Sequence, residues 1–396
     1  MRIGIDARPL RPPQTGVANY VHSLVQRLPG VSPEHRYFLY SNKEIPAAYS
    51  ETSIVRCTER AFRACPGTIW FLARGGRLSR RERLDVFWAT SPNLPLSMPA
   101  GVLKVVTVYD LVWLLFPETM TRKSLLLYRS VAEAAVHRSD LVIVISRSTG
   151  EGLVQHLGVS PEKIRLVYPG VSEEYRPQNP LLAAEYISRK YSVPSRYMAV
   201  VGTVEPRKNL ALLVNVLRIL KSNGQLDCPL LIAGGSGWKN SDFFRNIETA
   251  GLTEKQIRFL GYVPQEDMPL FYAGAQLFLF PSLYEGFGFP PLEAMACGTP
   301  VIASNAKCMP EVLGEAAILQ SPRNAEGFAE AVVRVLSDED LRHSMRVAGI
   351  QQARRFPWES SVKELLKVFS RRSLQDAVAC GSRVLRPDPG IDRARG

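Results

Sequence analysis

Glu285 and Glu293 stand with seven residues between them and bracket the segment Glu285-Gly-Phe-Gly-Phe-Pro-Pro-Leu-Glu293. Pro290 and Pro291 suit the first turn of a helix, where a backbone N–H has no partner anyway, and Gly298 suits its end. The preceding run Gln276-Leu-Phe-Leu-Phe-Pro-Ser282 reads as a short buried strand. Strand, glycine loop and helix therefore put Glu285 in the loop and Glu293 on the first turns of the helix. Backbone N–H groups in such a loop, together with a helix N-terminus, can meet an anion. Flanking carboxylates can accept hydrogen bonds from neutral hydroxyls, which a sugar or a ribose offers. An anion joined to diols points to a nucleotide-sugar.

A second set, Gly202-Thr-Val-Glu-Pro-Arg-Lys-Asn209, places Arg207 and Lys208 after one strand and before a long helix. A basic pair at a helix N-terminus opposes the macrodipole, so it serves an anion better than it serves stability. The plainer reading is a basic pair that only flanks the helix. Strand ends that meet helix starts are where open α/β sheets bind ligands.

The elements that must position these residues follow from alternating short apolar runs and helical patterns, the mark of parallel sheets covered by helices. Strands are expected at 2–7, 37–42, 53–57, 86–90, 104–109, 141–146 and 164–168. A second series is expected at 197–202, 229–233, 257–261, 276–281, 300–303 and 316–319. A helix from about Val17 would bury Tyr20, Val21, Leu24 and Leu28. Another after Pro206 would bury Leu210, Leu213, Val214, Leu217 and Leu220. The polar, proline-bearing stretch 170–194 is expected to be an interdomain linker. Phe356-Pro-Trp358 introduces an amphipathic helix carrying Val362, Leu365, Leu366 and Phe369. The expected division is 1–175, 190–355, a helix at 356–372, and a disordered tail at 373–396, which is short of apolar residues and rich in Arg, Pro and Gly.

The ordered set of motifs resembles the retaining glycosyltransferases of family 4, also described as glycosyltransferase group 1. It includes the E-x7-E element, Gly202–Asn209, Ile232-Ala-Gly-Gly-Ser-Gly-Trp238 and the run from Asn305 to Glu315. The resemblance extends from about Ile3 to Phe369, and its style is that of surface-polysaccharide mannosyl- and rhamnosyltransferases. It implies the GT-B fold, two Rossmann-like α/β domains with parallel sheets facing a central cleft. The first domain would serve the acceptor, the second the nucleotide-sugar donor, and the last helix would cross back to the first domain. By residue, the resemblance implies that Lys208 contacts the diphosphate with Arg207 beside it, and that Glu293 holds the ribose hydroxyls. Glu285 would meet sugar hydroxyls or the sugar-proximal phosphate, and the N–H groups of Gly286, Phe287 and Gly288 would face the diphosphate. Thr203, Gly234 and Gly235 fall in the same donor loops, while Tyr262 and Val263 would line the base pocket. In Arg11-Pro-Pro-Gln-Thr-Gly-Val17, Gly16 would approach the phosphates.

Val108-Tyr-Asp-Leu111 falls where many relatives carry His-Asp, so Tyr109 departs from the pattern while Asp110 keeps it. Tyr109 retains a hydroxyl without a charge change near neutrality. Asp110 either binds a sugar hydroxyl or caps a strand end. The family works without a metal motif, and Asp338-Glu-Asp340 reads as a solvated helical face. No cofactor is expected, the nucleotide-sugar being a substrate.

At 396 residues the chain has room for two domains, and 46% hydrophobic content is that of a globular protein. No apolar run reaches the length of a membrane span. The chain opens on a strand without a leader pattern, and six cysteines lack metal-ligand or disulfide-framework spacing. A cytoplasmic location is the expectation. The net charge of +12 gathers at Arg60, Arg63, Arg74, Arg77, Arg80, Arg81 and Arg83, interleaved with Phe62, Ile69, Trp70, Phe71 and Leu72. Such a segment either lies on the anionic inner face of the cytoplasmic membrane or is a solvated Arg-rich loop. No recognised nucleic-acid module accompanies the charge, so no nucleic acid is expected as partner.

The function expected is transfer of a hexose from a nucleotide-diphospho-sugar, with GDP-mannose the first guess, to a glycan or lipid-linked saccharide. The alternatives are another GT-B enzyme, such as a nucleotide-sugar epimerase, and a degenerate nucleotide-sugar-binding protein. A hydride-transferring enzyme is disfavoured because no G-x-G-x-x-G follows the first strand.

Overall fold

The computed structural model describes residues 1–11, 16–49, 51–235, 237 and 241–370. The chain forms two compact units, one of Met1–Leu115, Met120–Pro169 and the chain from Trp358, the other of Phe116–Thr119 and Gly170–Pro357. Elements are numbered in chain order.

The first unit holds β1 (Arg2–Asp6), β2 (Arg36–Ser41), β3 (Ile54–Thr58), β4 (Val86–Ala89), β5 (Leu103–Val108), β6 (Leu141–Val144) and β7 (Ile164–Leu166). Its helices are α1 (Gly16–Val31), α2 (Gly67–Arg81), α3 (Val112–Leu115), α4 (Arg122–Arg138) and α5 (Arg147–Leu157). The strands form one sheet in the order β3-β2-β1-β4-β5-β6-β7, and every pairing is parallel. Strands covered by helices on both faces are continuous apolar runs, and the four residues of β6, Leu-Val-Ile-Val, are all buried. Helix α1 turns Tyr20, Val21, Leu24 and Leu28 into the core, as its spacing predicts.

Helix α2 corrects one expectation. Trp70 and Phe71 are fully buried instead of sharing an outer face with the arginines. Trp70 Nε1 donates to Glu59 Oε2 at 2.8 Å, and Arg74 grips the same carboxylate at 2.8 and 3.1 Å. The apolar members of the basic segment that stay exposed are Phe62 and Ile69.

The second unit begins with α6 (Pro180–Tyr191) and contains β8 (Met198–Val201), β9 (Leu230–Ala233), β10 (Ile257–Gly261), β11 (Leu277–Phe280), β12 (Val301–Ser304) and β13 (Ile318–Gln320). Its further helices are α7 (Leu210–Ser222), α8 (Ser241–Thr249), α9 (Met268–Ala273), α10 (Phe289–Ala296), α11 (Met309–Leu313), α12 (Ala325–Ser337) and α13 (Glu339–Ala353). The sheet runs β10-β9-β8-β11-β12-β13, again parallel throughout. Leu210, Leu213, Val214, Leu217 and Leu220 of α7 join one core with Phe328, Val332 and Val335 of α12.

The expected linker at 170–194 is instead an integral part of this unit. Asn179 accepts from Leu181 N and Leu182 N at 3.0 and 3.2 Å and so caps α6, with Pro180 at its first position. Ala183, Ala184 and Ile187 are buried, and Tyr186, Lys190 and Tyr191 all bond Asp267. Burial opposes the Asp267 charge, but these three donors outweigh it and hold the carboxyl below its usual range. Pro180 marks the helix start and Pro194 follows three residues after its end, so these prolines bracket a helix and not a flexible tether. The second unit therefore starts at Gly170 rather than 190 and runs to Pro357 rather than 355.

The chain enters and leaves this unit side by side. Val171 N donates to Phe356 O at 2.9 Å, and Val171 forms a parallel bridge with Pro357. Helix α14 (Trp358–Phe369) belongs to the first unit. Its Trp358 ring lies 5.9 Å from Tyr20 and its Phe369 ring 5.8 Å from Trp88. The tail expected at 373–396 lies outside the described residues.

Both sheets share one winding, with the first strand beside the fourth: β1 next to β4, and β8 next to β11. The connections leave this junction in opposite directions, which opens a crevice beyond the strand ends.

Candidate functional site

At the β8/β11 junction the sequence-expected donor residues converge. Gly202 follows the end of strand β8, and a short 3-10 turn, Pro206–Lys208, delivers Arg207 and Lys208 ahead of α7. Asn209, in the left-handed region at φ 55°, turns the chain into that helix. Its Nδ2 donates to Pro281 O and Pro322 O at 3.0 and 2.8 Å, tying the turn to the end of β11. From β11 comes Glu285. Lys208 Nζ donates to Glu285 Oε1 and Arg207 Nη1 to Glu285 Oε2, each at 2.7 Å. Arg207 Nη2 also reaches Glu205 Oε1 at 2.5 Å, and Nη1 the Tyr284 carbonyl at 3.0 Å. Lys208 Nζ sits 5.3 Å from the centre of the Phe280 ring.

Burial alone would push the Glu285 carboxyl up; Lys208 and Arg207 outweigh it and hold the group at about 2. Two cations and two carboxylates thus close a neutral web with little exposure. The expectation that the basic pair serves an anion is met inside the chain by Glu205 and Glu285, which supply internal carboxylate partners. Glu205 was inside the quoted motif but carried no role.

Glu293 lies on the first turns of α10, eight residues along from Glu285 and in a different electrostatic setting. Its Oε2 accepts from Tyr272 Oη at 2.8 Å. Burial pushes its carboxyl up to about 7, with Tyr272 opposing and the charge of Glu174 adding. Tyr272 packs edge-on to Tyr175 at 5.9 Å, whose hydroxyl accepts from Gln265 Nε2 at 2.5 Å. No spacing in the sequence marks Tyr272 as the partner of Glu293.

Between the two glutamates, Gly288 adopts φ 101°, and a Cβ there would come within 2.5 Å of Met309 Cε. Only glycine fits that position. Phe287 is buried between Phe289 and Phe356, at 5.5 and 5.6 Å, and fixes the loop while Gly286 is itself buried. Cys308 Sγ donates to the Glu285 carbonyl at 3.0 Å and to that of Phe287 at 3.5 Å, a loop contact that sequence reading missed. The neighbouring strand ends interlock. Gly234, at φ 150°, would place a Cβ 2.1 Å from Gly202 O, and Val204 N donates to Gly235 O at 3.1 Å. Thr203 is half-buried in that crossing and Gly235 is exposed. Tyr262, 79% exposed, follows the end of β10, while Val263 is buried. Ser236 and Trp238 of the adjoining motif lie outside the described residues.

In the first unit, Tyr109 is engaged by its neighbours. Its hydroxyl donates to Thr90 O at 2.6 Å and its ring stands edge-on to Tyr20 at 5.5 Å. Burial, then the neighbouring Tyr20, push its ionisation well above the ordinary range. In this structure its hydroxyl proton is committed to a carbonyl. Asp110 Oδ1 accepts from Val112 N at 3.1 Å and caps α3. Gly16 opens α1 on the surface, and Pro12–Thr15 before it lie outside the described residues. Asp338 caps α13 through Leu341 N at 2.8 Å. Among the described residues, no three His, Cys, Asp or Glu side chains gather as metal ligands.

At the equivalent β1/β4 junction stands a cluster absent from the sequence expectations. Arg8 makes a bidentate pair with the fully buried Asp6, at 2.8 and 2.7 Å, and Arg8 Nη2 reaches Asn93 Oδ1 at 2.5 Å. Its only sequence signal is an aspartate at a strand end with arginines two and five residues on.

Comparison with known proteins agrees with this layout. The model for glycosyl transferases group 1 matches residues 187–352, and that for glycosyltransferase family 4 matches residues 14–175. The O-antigen chain mannosyltransferase B of Escherichia coli is 27% identical over 383 residues, covering 93% of this chain and 99% of that protein. The serotype-specific mannosyltransferase WbdA of E. coli is 28% identical over 242 residues, and the match spans only 29% of that longer protein. Among solved structures, Anabaena HepE in complex with UDP superposes with a TM-score of 0.68 at 18% identity, covering 93% of this chain and 98% of that one. The lipopolysaccharide glycosyltransferase WaaG gives 0.68 at 15% identity, with 94% and 100% coverage. At these identities the structural likeness speaks for the GT-B fold.

Proposed function

The chain belongs to the group 1, family 4 glycosyltransferases, and from that premise we propose that it moves a mannosyl unit from GDP-mannose to a glycan or lipid-linked saccharide in surface-polysaccharide assembly. The observation that carries the donor assignment is the convergence of Arg207, Lys208, Glu285 and the Gly286–Gly288 loop on one strand junction, with Glu293 on the helix that follows. Likeness to the O-antigen mannosyltransferase over nearly its whole length supports the choice of sugar.

In this reading the diphosphate meets Lys208 and Arg207, which Glu285 occupies when no donor is bound. A carboxylate held at about 2 is a permanent anion at neutral pH, so it serves as an internal stand-in for phosphate. When the diphosphate engages both cations, Glu285 keeps its charge and turns to hydrogen bonds from sugar hydroxyls. Glu293 accepts from the ribose diol in the place where Tyr272 now donates. Transfer breaks the bond between the anomeric carbon and the diphosphate oxygen. Negative charge that develops on that oxygen is met by Lys208, Arg207 and the loop N–H groups. The acceptor oxygen bonds the anomeric carbon on the face just vacated, which retains configuration. Its proton passes to the departing phosphate, and the nucleoside diphosphate leaves. No cofactor is consumed, and no metal is assigned to the site.

The test is thermal stabilisation by a panel of nucleoside diphosphates and nucleotide-sugars, because a ligand that binds only the folded state raises the melting temperature. Stabilisation by GDP and GDP-mannose over the uridine and adenosine counterparts is expected, with release of GDP only when acceptor is present. Donor turnover without acceptor would instead make the enzyme an epimerase or hydrolase. A binding protein would show the shift and no turnover.

A second element of the proposal concerns location. No helix among the described residues is long and apolar enough to cross a membrane. The exposed Arg63, Arg77, Arg80 and Arg83, with Phe62 and Ile69, fit peripheral contact with the anionic cytoplasmic face. Co-sedimentation with vesicles containing a third anionic lipid, but not with neutral vesicles, is the expected outcome. Equal recovery with both would remove this contact from the proposal.

A further inference from the structure

Cys308 stands immediately before α11, fully buried and packed against the loop that joins Glu285 to α10. Its thiol donates to two backbone carbonyls of that loop, Glu285 O at 3.0 Å and Phe287 O at 3.5 Å. Burial, with the charges of Glu285 and Glu311 adding, pushes the ionisation of this thiol well above its ordinary range. The sulfur therefore keeps its proton through the neutral range and stays a donor. A cysteine that only filled space would behave as a small hydrophobe. Two carbonyls gathered on one Sγ set this one apart.

Those two carbonyls fix the direction of two N–H groups. A trans peptide bond is planar, so its N–H points opposite to its C=O. The carbonyl of Glu285 shares its plane with the N–H of Gly286, and that of Phe287 with the N–H of Gly288. With both carbonyls turned toward Cys308, both N–H groups are turned away from it. Neither N–H has an acceptor within the chain among the described residues, although Gly286 and Gly288 are both buried. Buried backbone donors are nearly always paired. Two left unpaired in one short loop point to an acceptor that arrives with a ligand.

The loop needs a restraint to keep this arrangement. Glycine tolerates either sign of φ, so the peptide planes beside Gly286 and Gly288 are the easiest in the loop to turn over. A flipped plane would present a carbonyl oxygen where an anion expects an N–H. The chain after β12 supplies the restraint at three points. Ser304 Oγ donates to Ser282 O at 2.5 Å, and Cys308 holds the next two carbonyls. Met309 Cε then closes on Gly288, only 2.5 Å from where a Cβ would stand.

We propose that Cys308 is a positioning residue for the transfer, one that keeps the Gly286 and Gly288 N–H groups aimed at the donor diphosphate by holding the carbonyls behind them. This inference rests on the donor reading given above. Cys308 acts only through the loop. Its contribution is preorganisation, since N–H dipoles stabilise leaving-group charge best when they need not turn during the reaction.

Calorimetry on the full chain tests it with GDP and guanosine as probes, because only GDP offers the diphosphate. The pair UDP and uridine takes their place if the native chain prefers uridine. Cys308→Ala should weaken GDP about tenfold and leave guanosine within about twofold. Transfer should show kcat lower by about tenfold. Cys308→Ser keeps a donor on the same Cβ and should restore both, whereas Cys308→Val fills the space without a proton and should not. If the alanine form does not fold, the contrast of serine with valine carries the test. A thiol that only packs would behave otherwise: valine would rescue better than serine, and GDP and guanosine would weaken alike. That pattern overturns the proposal. So do Gly286 and Gly288 amide resonances that ignore GDP in the native chain labelled with 15N-glycine. GDP binding that Cys308→Ala leaves unchanged overturns this inference alone. Absence of GDP and UDP binding by the native chain overturns the donor reading and this inference with it, a result seen before any variant is made.

Discussion

The two strand junctions, β1/β4 and β8/β11, are built on the same winding and carry opposite charge logic. At β8/β11 the cations Arg207 and Lys208 face Glu205 and Glu285, and the web closes on itself. At β1/β4 the pair of Arg8 with Asp6 closes, but Arg11 remains outside it. Under the proposed function the first arrangement is a switchable one, its partners being side chains that a diphosphate would displace. The second is a fixed frame with one cation left over. One topology thus carries a closed four-member charge web in one unit and a buried pair with an adjoining arginine in the other. The difference is made by a carboxylate, Glu285, supplied from the fourth strand of the second sheet, where the first sheet supplies the neutral Asn93.

The sharpest way to break this contrast is Lys208→Ala. If Lys208 stabilises leaving-group charge, kcat/KM should fall by about 10²–10³, and nucleotide-sugar affinity by about tenfold. Steady-state kinetics on a well-folded variant reads both. A loss below threefold would reduce the web to a structural ion-pair network.

Glu293→Gln is expected to cost about tenfold to a hundredfold in donor affinity at pH 8, the worth of hydrogen bonds to a charged acceptor. Its pH profile sharpens the contrast with Glu285. With the Glu293 carboxyl pushed up to about 7, donor affinity should rise as pH increases through 7 and the carboxylate forms. A nucleotide-sugar is the right probe because its diphosphate diester does not titrate there. The Gln variant should lose that rise, whereas Glu285, held at about 2, contributes no titration in this range. Stability runs the other way. A raised carboxyl stabilises the fold fully below the ordinary 4.5, and that contribution is lost as pH climbs through about 7. Chemical denaturation at pH 5 and 8, compared between native and Gln forms, checks the sign.

Tyr109→Phe carries a smaller expected effect, about 1 kcal/mol of stability from the lost hydrogen bond to Thr90, with activity within threefold. A hundredfold loss of kcat would return Tyr109 to the chemistry. Smallest of all, excess chelator should leave the transfer rate unchanged, and restoration of a lost rate by magnesium or manganese would contradict the metal-free reading.

Every strand of both sheets was legible from apolar runs and turn residues, because strands covered on both faces need continuous hydrophobicity. That Arg207, Lys208 and Glu285 belong together was legible through an ordered motif set, and the structure brings the three into contact. What the sequence could not reveal is pairing between distant segments. Besides the nearby Glu205, the partner that balances Arg207 and Lys208 is Glu285, 77 residues beyond Lys208, which returns to them beside the parallel β8/β11 pairing. Tyr272 meets Glu293 from another helix, and Tyr109 is satisfied by Thr90 across neighbouring strands. The 170–194 stretch was misread because a proline-rich, polar composition describes a capped surface helix as well as a tether. Asn179 just before Pro180 was the available sign.

The bridge between Val171 and Pro357 has a consequence of another kind. A module whose two ends are pinned to each other behaves as a cassette inserted into its host, since replacing it leaves the spacing of the flanking chain unchanged. Residues 170–357 satisfy that condition, while the remaining unit is completed only when α14 returns to it. Recombination across these two junctions would therefore exchange residues 170–357 as one piece, with only Phe116–Thr119 of that unit left in the flanking chain. Diversity of saccharide products could arise by such shuffling as readily as by point substitution.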